Sequence, residues 1–282
     1  PVIVDNAGDF GATRPDLLGG PIPICGLAGD QQAATIGQGC LVPGQAKATL
    51  GTGAFILAPV GDAPPRSDHR LLGTILCQLD GRRRYALEGS IFVAGSLVKW
   101  LRDALGLVGS AQETEALARS VANNGGVSLL PALSGLGAPH WRPEARGVIA
   151  GLTQGTTRAH IVRAALESIA HQAHDLAGAF AADGAPWTSL RLDGGMSAND
   201  WIAQDMADML DIAVERPADV ETTARGAAML AALGAGLHAS IEAAAARLPG
   251  RQRFAPAMDA RVRADRLKTW GALLAASERA LP

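Results

Sequence analysis

Residues 26–34 read Gly-Leu-Ala-Gly-Asp-Gln-Gln-Ala-Ala, behind an apolar run, Ile22 to Ala28, that reads as a buried strand. A helix is expected from Gln31, because Gln31-Gln32-Ala33-Ala34 are good or tolerable helix formers. Asp30 stands at the junction, and two readings compete for it. A carboxylate at the C-terminal end of a strand opens toward the crevice where open α/β sheets place their chemistry. There Asp30 could accept a proton from a substrate hydroxyl while the Gln31 amide orients that hydroxyl. The plainer reading is that Asp30 caps the helix, a common use of aspartate. These residues alone favour the cap, so the rest of the chain has to decide.

Outward from that junction, the order of elements points to an α/β protein. The segment before Pro21 is rich in Gly, Pro and Asp and reads as loop. After the break at Pro43-Gly44, Lys47–Leu50 and Ala54–Val60 flank Gly51-Thr52-Gly53 as a hairpin. Leu71–Leu79 and Arg83–Leu87 flank Asp80-Gly81 as a second one. Helical spacing follows at Phe92–Leu105 and Glu113–Val121, with short strands near Val127–Leu130 and Val148–Leu152. Thr157–Phe180 is a long amphipathic helix with Ile161, Ala164, Ala165, Ile169 and Leu176 on its apolar stripe. Strand Leu190–Asp193, helix Ala198–Leu210, strand Ala213–Arg216 and helix Thr223–Leu237 come next, and residues 241–281 read as mostly helical. Hairpins followed by βαβα suit a mixed sheet with helices packed on it.

Composition narrows the function. The 282 residues allow one large or two modest domains with a real core. A net charge of −2 gives no footprint for nucleic acid or an anionic membrane. Lys47, Lys99 and Lys268 are the only lysines, and the many arginines read as compositional drift. Cys25, Cys40 and Cys77 are odd in number and far apart, which suits a reducing cytoplasm rather than a disulfide framework or a zinc site. No apolar stretch is long enough to span a bilayer, and no signal peptide is evident.

Three Gly-rich segments sit where strands meet turns or helices. Backbone amides in Gly51-Thr52-Gly53 can wrap phosphate oxygens, with Thr52 adding a hydroxyl, although a plain turn is the commoner reading of these residues alone. Gly194-Gly195-Met196-Ser197-Ala198-Asn199 follows a strand and opens a helix, which suits an anion or a mere strand-to-helix corner. Gly135-Leu136-Gly137-Ala138-Pro139 is a third such loop. Neither a Walker-type loop nor a GxGxxG run occurs. His171 and His174, on the long helix after Glu167, read as helix histidines more readily than as a metal pair. The tryptophans, Trp100, Trp141, Trp187, Trp201 and Trp270, read as packing, Glu88 as structural, and Arg82-Arg83-Arg84 as a solvated hairpin tip.

Taken in order, these segments resemble the FGGY family of sugar and polyol kinases, and within it the glycerol kinases. The residues that carry the resemblance are Gly26–Ala34, Pro43–Lys47, Leu50–Gly53, Ala86–Gly89, Trp100–Asp103 and Ser134–Pro139, then Gly151–Thr153, Thr156–His160, Asp193–Gly195 and Thr222–Ala228. The resemblance implies an actin- and hexokinase-like ATPase fold (ribonuclease H-like), a mixed sheet with flanking helices. It implies that residues 1–43 end an N-terminal domain and carry the catalytic Asp, and that 44–282 form the C-terminal, nucleotide-binding domain. On this reading Asp30 is the catalytic base and a ligand position for Mg²⁺, and Gln31 and Phe55 contact glycerol or a similar polyol with Asp30. Thr52, Gly95, Gly195 and Asn199 match positions that hold ATP. Gln31 also speaks for glycerol, since pentulose kinases of the family generally carry another residue after the catalytic Asp.

This sequence departs from the pattern in places. Lys99 stands where glycerol kinases usually carry Gln near the adenine nucleotide, and Arg14–Gly20 lacks the Gly-rich basic motif that binds fructose 1,6-bisphosphate in regulated relatives. No inhibition of that kind is expected. The N-terminal half of the family's fold, with its own phosphate loop, is expected as a missing partner domain, and self-association over the exposed cleft face, giving a homo-oligomer, fits the same picture.

Overall fold

Period-two alternation builds the first half of the sheet. In the computed structural model, which describes residues 2–279, β1 (Gln45–Leu50) and β2 (Ala54–Gly61) pair antiparallel across Gly51-Thr52-Gly53. The next hairpin, β3 (Leu72–Leu79) and β4 (Arg82–Ile91), turns at Asp80-Gly81. Both turn residues have positive φ, 50° and 71°, the combination a two-residue type I′ hairpin needs. Ala46, Ala48 and Leu50 of β1, Ala54 and Ile56 of β2 and Leu87 and Ile91 of β4 share one buried cluster. Lys47, Thr49, Phe55, Leu57 and Glu88 alternate with them and so face the other way.

Connections to parallel strands supply the second half. After β4 come α2 (Gly95–Asp103) and α3 (Glu113–Arg119), then a separate two-stranded sheet of β5 (Ser128–Leu130) and β6 (Val148–Ala150). The long α4 (Arg158–Ala182) starts at Thr157, which forms a capping box with His160. It leads to β7 (Ser189–Asp193), parallel to β1, and through α5 (Asp200–Leu210) to β8 (Ala213–Pro217), parallel to β7. The seven-stranded mixed sheet has the order β3-β4-β2-β1-β7-β8-β9. Helices α4 and α5 cover its first face with Leu166, Ile169, Phe180, Ile202 and Met206.

The opposite face carries α1 (Asp30–Gly37) and α6 (Thr222–Gly234), with α7 (Ile241–Ala245) beside them and Ile36, Leu76, Met229 and Leu230 in their core. The helices α1 and α6 cross backbone to backbone. A Cβ on Gly226 would stand 1.8 Å from the Ala33 carbonyl oxygen, and one on Gly37 would stand 2.0 Å from that of Thr222. Only glycine at both positions permits that approach, which fixes α1 against α6.

One sequence expectation fails here. Ile22–Ala28 is not a buried strand: Ile22 and Leu27 are about half exposed, and the segment makes only bridges, Ala12 to Pro23 and Ala7 to Gly26. Pro21 and Pro23 lack the N–H a ladder needs, so residues 6–13 and 22–27 form an irregular ribbon instead. The tail is mostly helical, as read, with one addition. Before α8 (Ala260–Arg279), Arg251–Phe254 adds the edge strand β9, antiparallel to β8. Among the described residues no helix is long and apolar enough to cross a membrane.

Candidate functional site

Asp30 is the first residue of α1, and the helix is capped by the backbone of Gly29 without any side-chain cap. Asp30 therefore does not fill the N-cap position itself. The Asp30 carboxylate is exposed, accepts the Gln31 backbone N–H at 2.8 Å, and leaves Oδ2 at 3.4 Å from Gln31 Nε2. A carboxylate in the first helical turn also faces the positive end of the helix dipole.

Beneath α1 the sheet presents two cross-strand rows. Arg191, Lys47, Leu57 and Glu88 are register neighbours in one, and Asp193, Thr49, Phe55 and Ser90 in the other. Phe55 is 40% exposed, an aromatic surface that the solvent side of the sheet does not need for packing. Lys47 is fully buried, and its Nζ donates to Gln31 Oε1 at 2.6 Å and to Thr49 Oγ1 at 2.9 Å. Burial pulls its ammonium down to about 8, against the opposing pull of Asp193, Cys40, Glu88 and Asp30. Glu88 lies mid-strand rather than at a strand end, and burial raises its carboxyl above the ordinary range while Lys47 lowers it. Asp193 accepts from Gln38 Nε2 at 3.2 Å and from the Thr222 hydroxyl. The structure thus gathers Asp30, Gln31 and Phe55 with Lys47, Thr49 and Glu88, which sequence reasoning left out of the site. A lysine in a strand reads as solvent-facing; its signal was the shared parity of Lys47, Thr49 and Phe55 across the hairpin.

Past the end of β1, the turn Gly51-Thr52-Gly53 opens into a cleft of about 470 Å³. Its lining contains Thr52, Gly95, Gly195 and Asn199, so the residues assigned to a nucleotide converge from the hairpin, α2, the short 3₁₀ turn at Gly195–Ala198 and the start of α5. Lys99 lines it too, as do Gln112 and Thr114 at the start of α3, which the sequence reading did not single out. The turn is pinned to α2: Gly95 N–H donates to the Gly51 carbonyl at 2.9 Å, and Ala94 and Ser96 N–H donate to that of Thr52 at 3.0 Å. In a trans peptide the N–H points away from its carbonyl, so the amides of Thr52 and Gly53 face away from α2. Asn199 caps α5, accepting from Ile202 N–H at 3.1 Å and donating to the Thr114 hydroxyl at 3.2 Å. Gly195 leaves open space where a Cβ would stand.

Other sequence candidates go elsewhere. Ala138 in the third Gly-rich loop donates to the Ser90 carbonyl at 3.0 Å, and that loop does not line the cleft. His171 stacks on Trp270 with centroids 5.3 Å apart. Among the described residues no group of three or more His, Cys, Asp or Glu is placed to hold a metal. Arg84 is not part of a solvated tip, because it pairs with Glu242 at 2.5 Å. Trp141 is 37% exposed and donates to the Arg70 carbonyl, so it is only partly a packing residue. All three cysteines are free, and burial raises the Cys40 and Cys77 thiols to about 11.

The chain compares as follows with known proteins. Residues 46–235 match the model of the C-terminal domain of the FGGY family of carbohydrate kinases. The glycerol kinase of Rhodospirillum centenum is 52% identical over 270 residues, 96% of this chain and 54% of that protein. That of Rhodospirillum rubrum is 56% identical over 85% of this chain and 49% of its own length. Among solved structures, Plasmodium falciparum glycerol kinase with ADP superposes with a TM-score of 0.89 at 36% identity, over 100% of this chain and 56% of that one. A xylulose kinase from Rhodospirillum rubrum gives 0.83 at 26% identity, over 99% and 57%. The chain spans about half the length of the curated relatives it matches.

Proposed function

We propose that this chain, which belongs to the FGGY family of carbohydrate kinases, carries the nucleotide cleft and the general base of an ATP-dependent glycerol kinase that makes glycerol 3-phosphate. One observation carries the reading. Asp30 and Gln31 lie over one end of the β1–β2 hairpin, and the cleft lined by Thr52, Gly95, Gly195 and Asn199 opens at its turn. A phosphoryl donor in the cleft and a hydroxyl at Asp30 would then meet across a few residues. High identity to proteins named glycerol kinase supports glycerol as the acceptor.

Phosphoryl transfer asks little covalent chemistry of a protein and much positioning. Asp30 accepts the proton of the attacking hydroxyl, Gln31 orients that hydroxyl, and Phe55 supplies an apolar wall for the carbon chain. The Thr52 hydroxyl and the amides around it, with those at the start of the Gly195 turn, offer donors to phosphate oxygens. The donor set fits Mg²⁺ brought in on the nucleotide, because such an ion takes one or two protein carboxylates besides phosphates and water, and Asp30 is one exposed carboxylate. Such an ion, when bound, would neutralise charge developing on the phosphates. Residues 1–43 act as the end of the N-terminal domain and the interdomain segment, 44–282 as the nucleotide-binding domain, and an N-terminal domain like that of the longer relatives closes the other wall.

The test is ADP formation with Mg-ATP, with and without glycerol, by this chain alone and by the full-length protein. Glycerol-stimulated turnover by the full-length protein and silence from the chain alone is the expected result. Full-length protein that ignores glycerol refutes the reading.

A further inference from the structure

We infer that Lys47 is the positioning residue of the transfer site: it holds the Gln31 carbonyl, and thereby commits the Gln31 amide nitrogen to Asp30 and the acceptor hydroxyl. The inference rests on the kinase reading and adds to it a role for a residue outside the base, the substrate contacts and the nucleotide cleft.

An ammonium can only donate, so each atom within hydrogen-bond reach of Lys47 Nζ has to accept. Those atoms are Gln31 Oε1 at 2.6 Å and Thr49 Oγ1 at 2.9 Å. A glutamine amide is free to present either its oxygen or its nitrogen, and here the choice is removed. Oε1 is turned down onto Lys47, and Nε2 lies on the Asp30 side, 3.4 Å from Oδ2. A positive charge on the carbonyl also strengthens the amide N–H as a donor.

The consequence for an incoming hydroxyl is specific. Against Asp30 it can only donate, and against Gln31 it can only accept. Its proton then lies on the Asp30 carboxylate and one lone pair is held by Gln31, which leaves the other lone pair for the γ-phosphorus. In the transfer an O–P bond forms to that hydroxyl oxygen, the bond from the γ-phosphorus to the bridging oxygen of ATP breaks, ADP leaves with that electron pair, and the proton passes to Asp30.

Packing alone does not account for this lysine. Lys47 has no exposed surface; the carboxyl groups that face it are Asp193 on β7, Glu88 on β4 and Asp30 on α1, and the Cys40 thiol just after α1 faces it too. Burying a charge is costly, and an apolar residue of similar volume is often as stable or better at such a position. The charge is kept where it meets the side chain next to the base.

A double-mutant cycle in the full-length kinase tests the inference, with kcat and KM for glycerol and ATP measured for Lys47→Met, Gln31→Ala and the pair. Lys47→Met should lower kcat/KM for glycerol by about 10- to 100-fold, the range of a hydrogen bond to a charged group, with KM for ATP unchanged. In the Gln31→Ala background the same change should cost less than about threefold, because the group it positions is gone. Equal losses in both backgrounds overturn the inference and leave Lys47 a packing residue. Lys47→Arg keeps the charge that Asp193 and Glu88 face but moves the donor, so it runs the same cycle if the methionine variant does not fold, with the same two outcomes. Wild-type protein without glycerol-dependent turnover would instead refute the kinase reading, and this inference with it.

Discussion

Replacing Gly195 by valine should separate what the cleft is for from how it is built. A Cβ at Gly195 meets no heavy atom within 4 Å, and the residue lines the cleft. The added side chain therefore starts in ligand space, with a Cβ that displaces no protein. Stability without ligand should stay within about 0.5 kcal/mol of wild type. The assay is thermal unfolding with and without Mg-ATP at about 100 times the wild-type Kd, where binding adds about 2.7 kcal/mol. At roughly 2–4 °C per kcal/mol for a chain of this size, wild type should gain about 5–11 °C. A 100-fold loss of affinity leaves about 0.4 kcal/mol, a gain of only about 1–2 °C. Gly95→Ala is the contrasting variant. Its Cβ would stand 2.4 Å from the Gly51 carbonyl oxygen and 3.2 Å from Met196 Sδ. That overpacking should lower stability itself by about 1–3 kcal/mol. A Gly195→Val protein that keeps the full ATP-induced gain would refute the nucleotide assignment of the cleft. One that unfolds well below wild type without ligand would show that Gly195 serves the fold.

Two further predictions concern buried ionisable groups. Burial, with Arg266 and His174 adding to it, holds the His171 imidazole down to about 3 against an ordinary 6.5. The unfolded chain therefore takes up a proton that the folded chain refuses, so this contribution is complete above pH 6.5 and is lost as pH falls toward 3. The loss should reach roughly 2 kcal/mol by about pH 5, and denaturant titrations of His171→Phe across that range should lack this slope. Asp205 meets Arg266 through two bonds, at 2.5 and 2.9 Å, with side chains only 6% and 12% exposed. Asp205→Ala leaves that guanidinium buried without its carboxylate and should cost about 3–5 kcal/mol in the same titrations; a loss below about 1 kcal/mol would contradict the pairing.

Much of the fold was legible because its signals are local. Asp80-Gly81 names its own turn, and the apolar stripe from Ile161 to Leu176 marks α4. What sequence missed depends on tertiary context. The strand β9 is Arg-Gln-Arg-Phe, polar and at the sheet edge, and it becomes a strand because β8 offers an open ladder. Ile22–Ala28 is apolar enough for a core strand, yet the missing N–H groups of Pro21 and Pro23 keep it out of the sheet. The site divides the same way. Asp30, Gln31 and the glycine turns stood out in the chain, and the structure brings Thr52, Gly95, Gly195 and Asn199 to one cleft. Lys47 did not stand out, because nothing local distinguishes a buried lysine from an exposed one. Gln112 and Thr114 reach the cleft from α3 only through packing that no short window of sequence encodes.

The central claim is that Asp30 is the base for transfer from ATP to a polyol. Glycerol-dependent ADP formation by full-length Asp30→Asn, measured beside wild type, tests it most directly. Turnover of the variant should fall about 100-fold or more below wild type, with KM for ATP unchanged. Near-normal turnover in the variant would remove Asp30 from the mechanism and contradict the claim.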